Sequence, residues 1–470
     1  MSRSESRDVL ERVEREQEGY LSELEDYLRI PSISTDPDYR DEVLRAAEYL
    51  RARMAEAGLE AETVSPKDGR GYPMVYGEWT GAPGAPTVLF YGHYDVQPAD
   101  PLELWRSPPF EPTREDGFLV ARGATDDKGQ SYAHVKAIAA MLAERGRLPV
   151  NVKLLVEGEE ESGGAAIEKY VRESRQEGGS RLAADCVVVS DTSMYAPGQP
   201  SLIYGLKGLC YMEVKVTGPD KDLHSGTFGG GVTNPLNALA HILARLWDAD
   251  NGRVLVPGFY DDVRPLADWE RQEFAALPFD EAAYAAGLGV AETFGEHGYS
   301  TRERVWARPT CDVNGIFGGY QGKGAKTVIP SWGGAKVSMR LVPNQKPKDI
   351  AAKFTDYVKR VAPRGVTVEV TDLHGAQPTL LETEGPVVEA AMDAMESVWG
   401  ARPVLVREGG SIPIVSTFAE VLGVPILMMG FGLPDDGLHS PNERFKIENF
   451  YRGIESVAVF LDRLGAGGGA

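Results

Sequence analysis

Three adjacent carboxylates, Glu159, Glu160 and Glu161, follow the apolar run NVKLLV in the stretch VEGEEESGG. Two like charges about 4 Å apart repel by roughly 1 kcal/mol in bulk water and about 4 kcal/mol at an effective dielectric near 20. A wet surface tolerates such a run; a crevice needs a cation to offset it. Other acids and two histidines fall in comparable places. His93 and Asp95 follow TVLFYG, Asp126 and Asp127 follow FLVARGAT, Asp191 follows CVVVS, and His439 follows PILMMGFGLPDDGL. In an open α/β sheet the ligand crevice lies outside the carboxyl ends of the strands. Each of these predicted strand ends would deliver a ligand atom there. Two imidazoles with several carboxylates form a mixed N/O set suited to zinc, manganese or cobalt.

Taken singly, each element has an ordinary structural reading. Asp126–Asp127 before Lys128–Gly129 matches a helix N-cap. The glutamates could open an acidic helix favoured by the macrodipole. Asp95 could close a turn, or could orient His93 through its second ring nitrogen, as carboxylates behind metal ligands do. The recurrence of all of them at strand ends favours the metal reading. The stretch GGYQGKGAKT at 318–327 approaches a phosphate loop, but Ala325 separates Gly324 from Lys326 and no apolar strand leads into a helix there. His134, His241, His297 and His374 fall on expected helices or loops away from strand ends and are read as structural or surface residues.

The elements that must position these groups alternate along the chain. Helical spacing covers residues 7–29 and EVLRAAEYLRARMAEAGL. The runs PTVLFYGH, NVKLLVEG and DCVVVSD read as buried strands, separated by the helices GQSYAHVKAIAAMLAERG and GGAAIEKYVRESR. Short apolar strands alternating with helices predict an α/β fold, a mostly parallel sheet with helices on both faces. After about residue 205 the style changes. CYMEVKVTG, GGAKVSMRLVP and VTVEVTDL alternate, and PLNALAHILARLWDAD and KDIAAKFTDYVKRVAP read as helices, which suits a smaller α+β domain. From about 377 the first style returns with PVVEAAMDAMESVWG and PILMMGFG. The expected organisation is a first domain in two parts, 1–205 and 377–470, interrupted by an inserted domain at 206–376. The tail GAGGGA is expected to be disordered.

The totals exclude several classes. The 470 residues carry 49 Lys plus Arg against 70 Asp plus Glu, a net charge of -21. Nucleic acid and anionic membranes need a basic footprint, so neither is an expected partner. Three scattered cysteines without a CxxC predict reduced thiols rather than a disulfide framework or thiolate zinc site. The charged first thirty residues lack an apolar signal region, and VLGVPILMMGFG is too short to span a bilayer, so a cytoplasmic location is expected.

In order along residues 91–443 the chain carries YGHYDVQPAD, RGATDDKGQ, EGEEESG, VVVSDT, KDLHSGTFGG, GAKTVIP, MRLVPNQ, REGGSIPI and DDGLHSPNE. The set resembles the dinuclear metallopeptidase family of aminoacylases, acetylornithine deacetylases and succinyl-diaminopimelate desuccinylases, and within it the cytosolic non-specific dipeptidase and carnosinase branch. The resemblance implies a phosphorylase/hydrolase-like zinc exopeptidase domain with an inserted dimerisation (lid) domain, and a homodimer formed through it. It implies two divalent ions per subunit, zinc first and manganese or cobalt as alternatives. By match, Asp126 would bridge both ions, His93 and Asp191 would complete one site, and Glu161 and His439 the other. Glu160 would be the general base, Asp95 would orient His93, and the Asp126–Asp127 peptide would be cis. His224 would steady the oxyanion in the neighbouring subunit's site. Arg340 would grip the substrate carboxylate, with Thr327, Gly410 and Ser411 nearby. The implied reaction is hydrolysis of dipeptides with a free C-terminal carboxylate through a metal-bridging water. The alternatives are an N-acyl-amino-acid deacylase of the same family and a non-catalytic binding homologue.

Overall fold

The computed structural model describes residues 6–67, 69–176 and 181–467. The chain divides into two compact units, one of Met1–Tyr204, Leu381–Val406 and Thr417–Ala470, the other of Gly205–Leu380 and Arg407–Ser416. The segment Arg407–Ser416, on the far side of the insertion in sequence, therefore clusters with the second unit.

The first unit is built on a sheet ordered Glu60–Val64, Met74–Trp79, Asn151–Glu157, Thr87–His93, Cys186–Val189, Ile426–Met428 and the start of Ser201–Leu206. Its four central strands, Asn151–Glu157 to Ile426–Met428, pair in parallel, and the flanks are antiparallel. The mostly parallel sheet expected from the short apolar runs is present. Parallel strands covered on both faces are apolar throughout, and all four residues of Cys186–Val189 are buried, as is Thr87–His93 beyond its first residue. The helix Arg7–Leu28 buries the stripe Val9, Val13, Tyr20, Leu21 and Leu24 that its spacing predicted. The helix Lys128–Arg145 is buried on nearly every side and stops at Gly146, whose left-handed backbone lets its N–H reach the Leu142 carbonyl.

Four expectations need correction. FLVARGAT is a strand only over Phe118–Val120, and it pairs with Thr113–Glu115 and Arg444–Lys446 in a separate small sheet. The strand is three residues long, and Gly123 at φ +82° turns the chain away. The helix begun at Pro235 ends at Leu243 rather than running to 250. Beyond it the Asp248 carboxylate accepts the N–H groups of Asp250 and Asn251, a local turn that competes with helix. The C-terminal glycines are not wholly irregular: the helix Ile447–Gly467 includes Gly465, where a Cβ would come within 2.6 Å of Pro149. Residues 468–470 lie outside the described residues. His374 lies in the strand Thr367–Ala376, not on a helix or loop.

The second unit holds an antiparallel sheet ordered Asp312–Gly318, Trp332–Leu341, Gly208–Thr217, Thr367–Ala376, with helices Pro235–Leu243 and Pro347–Val361 packed against it. Alternate residues of Gly208–Thr217 enter a core with Leu239, Ile242, Val337 and Phe354, as the alternating pattern required. No helix among the described residues is long and apolar enough to cross a membrane.

Candidate metal centre

The parallel strands do the first part of the positioning. His93 ends the strand Thr87–His93, in register with Glu157 on one side. On the other side the strand pairs with Cys186–Val189, which carries Asp191 just beyond its end. The Tyr94 N–H donates to the Glu157 carbonyl, so the chain leading to Glu160 and Glu161 leaves the sheet beside His93. Glycine makes the tight spots possible. A Cβ on Gly158 would sit 2.3 Å from the Tyr94 ring, and one on Gly92 would sit 2.7 Å from an Asp127 oxygen. Asp126 arrives by another route, from the loop ahead of the helix Lys128–Arg145, and the Asp126–Asp127 peptide is cis. Asp127 is at the N-cap position but makes no capping bond with its side chain; its carboxylate instead accepts the His93 main-chain N–H at 3.2 Å. Glu160–Ser162 form a short 3-10 turn rather than the start of a long helix.

Two overlapping donor sets result. Ligand atoms of His93, Asp126 and Asp191 lie within 4.8 Å of one another, and so do those of Asp126, Glu161 and His439. Asp126 belongs to both. Its Oδ1 is 3.0 Å from His93 Nε2 and its Oδ2 is 2.9 Å from His439 Nε2. Asp191 lies 3.9 Å from His93 Nε2, and Glu161 lies 3.4 Å from His439 Nε2.

Asp95 does more than the sequence suggested. The His93 Nδ1 is 3.1 Å from the Asp95 main-chain carbonyl and 3.5 Å from its carboxylate. That carboxylate accepts the N–H groups of Glu160 at 3.3 Å and Glu161 at 3.1 Å, and the Ser34 hydroxyl at 2.6 Å. It therefore clamps the 3-10 turn bearing both glutamates. Gln97 was not singled out from the sequence, yet its amide donates to Glu161 Oε2 at 2.7 Å, leaving Oε1 toward His439. Its signal was its place in HYDVQP, two residues past Asp95.

Electrostatics tests whether these residues suit cations. Burial, reinforced by the charges of Asp126 and Glu161, pushes the Asp191 carboxyl up to about 7. Burial, with Asp191 and Glu161 as neighbours, lifts Glu160 to about 8. Hydrogen bonds to Asp126 and Glu161 raise His439 to about 10. Among the described residues no lysine or arginine pairs with Asp126, Asp191 or Glu161. Carboxylates this buried keep their charge only beside positive charge, and the imidazoles that supply it are themselves nitrogen donors. Deprotonated imidazoles and two divalent cations would satisfy every member of the set, so the residues fit a dinuclear centre.

The remaining predicted residues lie in the second unit. His224 is exposed, and its Nδ1 accepts the Gly226 N–H at 3.0 Å. That bond places the ring proton of the neutral tautomer on Nε2. Arg340 Nη1 donates to Ser411 Oγ at 3.0 Å, and Ser411 donates in turn to the Lys207 carbonyl. The Gly410 carbonyl accepts the Lys207 N–H at 3.1 Å, and that of Thr327 accepts the Ser225 N–H at 3.1 Å. Among the other histidines, His134 is buried on its helix with Nε2 2.7 Å from Ser190 Oγ. Burial lowers His134 to about 3, a neutral structural ring.

The family model for peptidase family M20/M25/M40 matches residues 89–463. The Cys-Gly metallodipeptidase dug1 of Schizosaccharomyces pombe is 32% identical over 467 residues, covering 97% of this chain and 98% of that protein. The crystal structure of human carnosine dipeptidase 1 superposes with a TM-score of 0.84 at 31% identity, covering 97% of this chain and 98% of the other. An M20 family metallo-carboxypeptidase from Sulfolobus solfataricus superposes with a TM-score of 0.83 at 34% identity, covering 95% and 99%.

Proposed function

This chain belongs to peptidase family M20/M25/M40, and from that footing we infer that it is a metal-dependent dipeptidase. The observation that carries the reading is the pair of donor sets sharing Asp126. His93 and Asp191 would hold one ion, Glu161 and His439 the other, with Asp126 between them. Zinc is the proposed metal, with manganese or cobalt as substitutes. Bound there, the ions would polarise the scissile carbonyl and acidify a water from a pKa of 15.7 toward about 7.

The chain's own groups do the rest. Glu160, the carboxylate beside the second donor set but outside both, accepts the water's proton and passes it to the leaving amine. Its backbone is held by Asp95, so the base is placed by the same clamp that places Glu161. His224, with Nδ1 engaged, offers Nε2–H to the developing oxyanion. We assign that contact to the neighbouring subunit's site. Arg340, cationic at any physiological pH, pairs with the substrate's C-terminal carboxylate, with Thr327, Gly410 and Ser411 beside it. Homodimerisation through the second unit is part of the proposal. Its support is the edge strand Asp312–Gly318, where Ile316 is 63% exposed. Free cysteines at 186, 210 and 311 suit a cytoplasmic location.

The deciding experiment is a panel of dipeptides, longer peptides and N-acyl amino acids given to metal-reconstituted protein. Dipeptides should be turned over fastest, with activity lost on chelation and restored by metal. Preference for N-acyl amino acids would transfer the protein to the deacylase reading. No turnover of any amide would leave a binding homologue. Full activity of a monomer in dilute solution would overturn the dimer and the role of His224.

A further inference from the structure

We propose that Glu443 is a positioning residue for the second metal site, tying the bridging Asp126 to the loop that carries His439. The inference rests on the dinuclear reading above but not on which amide is cleaved.

Glu443 is fully buried, and its carboxylate collects four donors. Oε1 accepts the main-chain N–H groups of Thr125 at 3.0 Å and Asp126 at 3.1 Å. Oε2 accepts the Gly123 N–H at 3.0 Å and Arg122 Nη1 at 2.7 Å. The Ala121 N–H donates to the Glu443 carbonyl at 3.0 Å. One side chain thus fixes the main chain of the loop that ends in Asp126. Arg122 is itself buried, donates to the Pro98 carbonyl at 3.2 Å and lies over the Trp105 ring. A buried ion pair is weak evidence for stability, so what this one does is read from the main-chain groups it holds, those of the loop ending in Asp126.

His439 needs that constraint. It sits on a loop with its own backbone at φ +59°, a left-handed conformation uncommon for a non-glycine residue. Its side chain is 56% exposed, so packing does not hold the ring. The loop is fastened instead at Glu443 and by Asn442, which accepts the Arg106 N–H at 2.8 Å and donates to the Leu104 carbonyl at 2.9 Å. Asp126 keeps Oδ1 toward His93 and Oδ2 toward His439, and the residue that grips its N–H also anchors the His439 loop. Loosening Glu443 should therefore weaken the second site more than the first: both lose the grip on Asp126, but His93 and Asp191 remain placed by the sheet while the His439 loop does not.

The test titrates the full-length metal-free protein with zinc and, separately, with cobalt. It follows the number and affinity of bound ions by calorimetry and the cobalt spectrum, beside the melting temperature of the metal-free protein. Glu443→Gln puts an amide N–H against donors that now face an oxygen. The expected result is a second-ion affinity lower by about 10–100-fold, the range seen when partners behind metal ligands are removed. First-ion affinity should fall by less, and the metal-free melting temperature should drop as well, because Arg122 loses its buried anionic partner. Arg122→Lys, which keeps one cationic donor, should shift the same step by less, and it carries the test if Glu443→Gln does not fold. Two ions bound with wild-type affinity in the variant that folds would overturn the proposal. So would equal weakening of both ions in step with a lowered metal-free melting temperature, which would make the role structural only. A wild-type protein that binds two ions but cleaves no dipeptide would sink the proposed activity and leave this inference standing.

Discussion

The two donor sets share one aspartate and differ in almost everything else. His93 and Asp191 sit at ends of neighbouring parallel strands, with 0% and 11% of their side chains exposed. The backbone that carries them is pinned by sheet hydrogen bonds, and the His93 N–H is further held by Asp127. Glu161 and His439 come from a 3-10 turn and a loop, and their places depend on side chains: Asp95, Gln97, Asn442 and Glu443. Among these donor residues only His439 is largely exposed. The contrast teaches that one donor set is held by the fold and the other by a network laid over it. The first should bind more tightly, and the second should exchange and respond to mutation.

That comparison can be broken by removing what the sets share. Asp126→Asn should abolish two-ion binding and reduce peptide hydrolysis to background; retention of both ions by calorimetry would show that the sets are independent. Next in size, Glu160→Gln should lower kcat by about 10²–10⁴-fold, the range for loss of a general base. It should keep both ions, because Glu160 belongs to neither set; intact hydrolysis would remove the base assignment. The comparison sharpens with the two histidines. His439→Ala should leave one ion bound at near wild-type affinity, whereas His93→Asn should weaken the first and tighter step of the isotherm. The reverse order would refute the assignment of tight and loose sites. The smallest effect is expected from Gln97→Leu, which frees Glu161 Oε2. A loss of about 10-fold in second-ion affinity is expected, at the low end for a partner behind a ligand; an unchanged second step would make that hydrogen bond incidental.

Much of this was legible from residue types alone. The parallel strands announced themselves because a strand covered on both faces must be apolar along its length, as Cys186–Val189 is. The acids beyond those strands stood out because uncompensated charge is costly near such a core. Asp126 was singled out on a wrong premise: the run before it is not a strand of the main sheet. Helix ends were misread where a side chain competed locally with the backbone, as Asp248 does after Leu243.

What the sequence determined by itself was the inventory: two imidazoles, the carboxylates, and an alternation of strands and helices able to bring some of them to one sheet edge. Local pattern reports burial and periodicity, and those set element type. Tertiary structure alone decided which oxygen of Asp126 faces which histidine, that Asp95 grips main-chain N–H groups as well as standing beside His93, and that Gln97 reaches Glu161 while Glu443, paired with Arg122, reaches the Asp126 main chain. Those assignments depend on hydrogen bonds between residues up to 321 positions apart. Such distances leave no trace in local periodicity, because a donor and acceptor meet only after the core has fixed the chain between them.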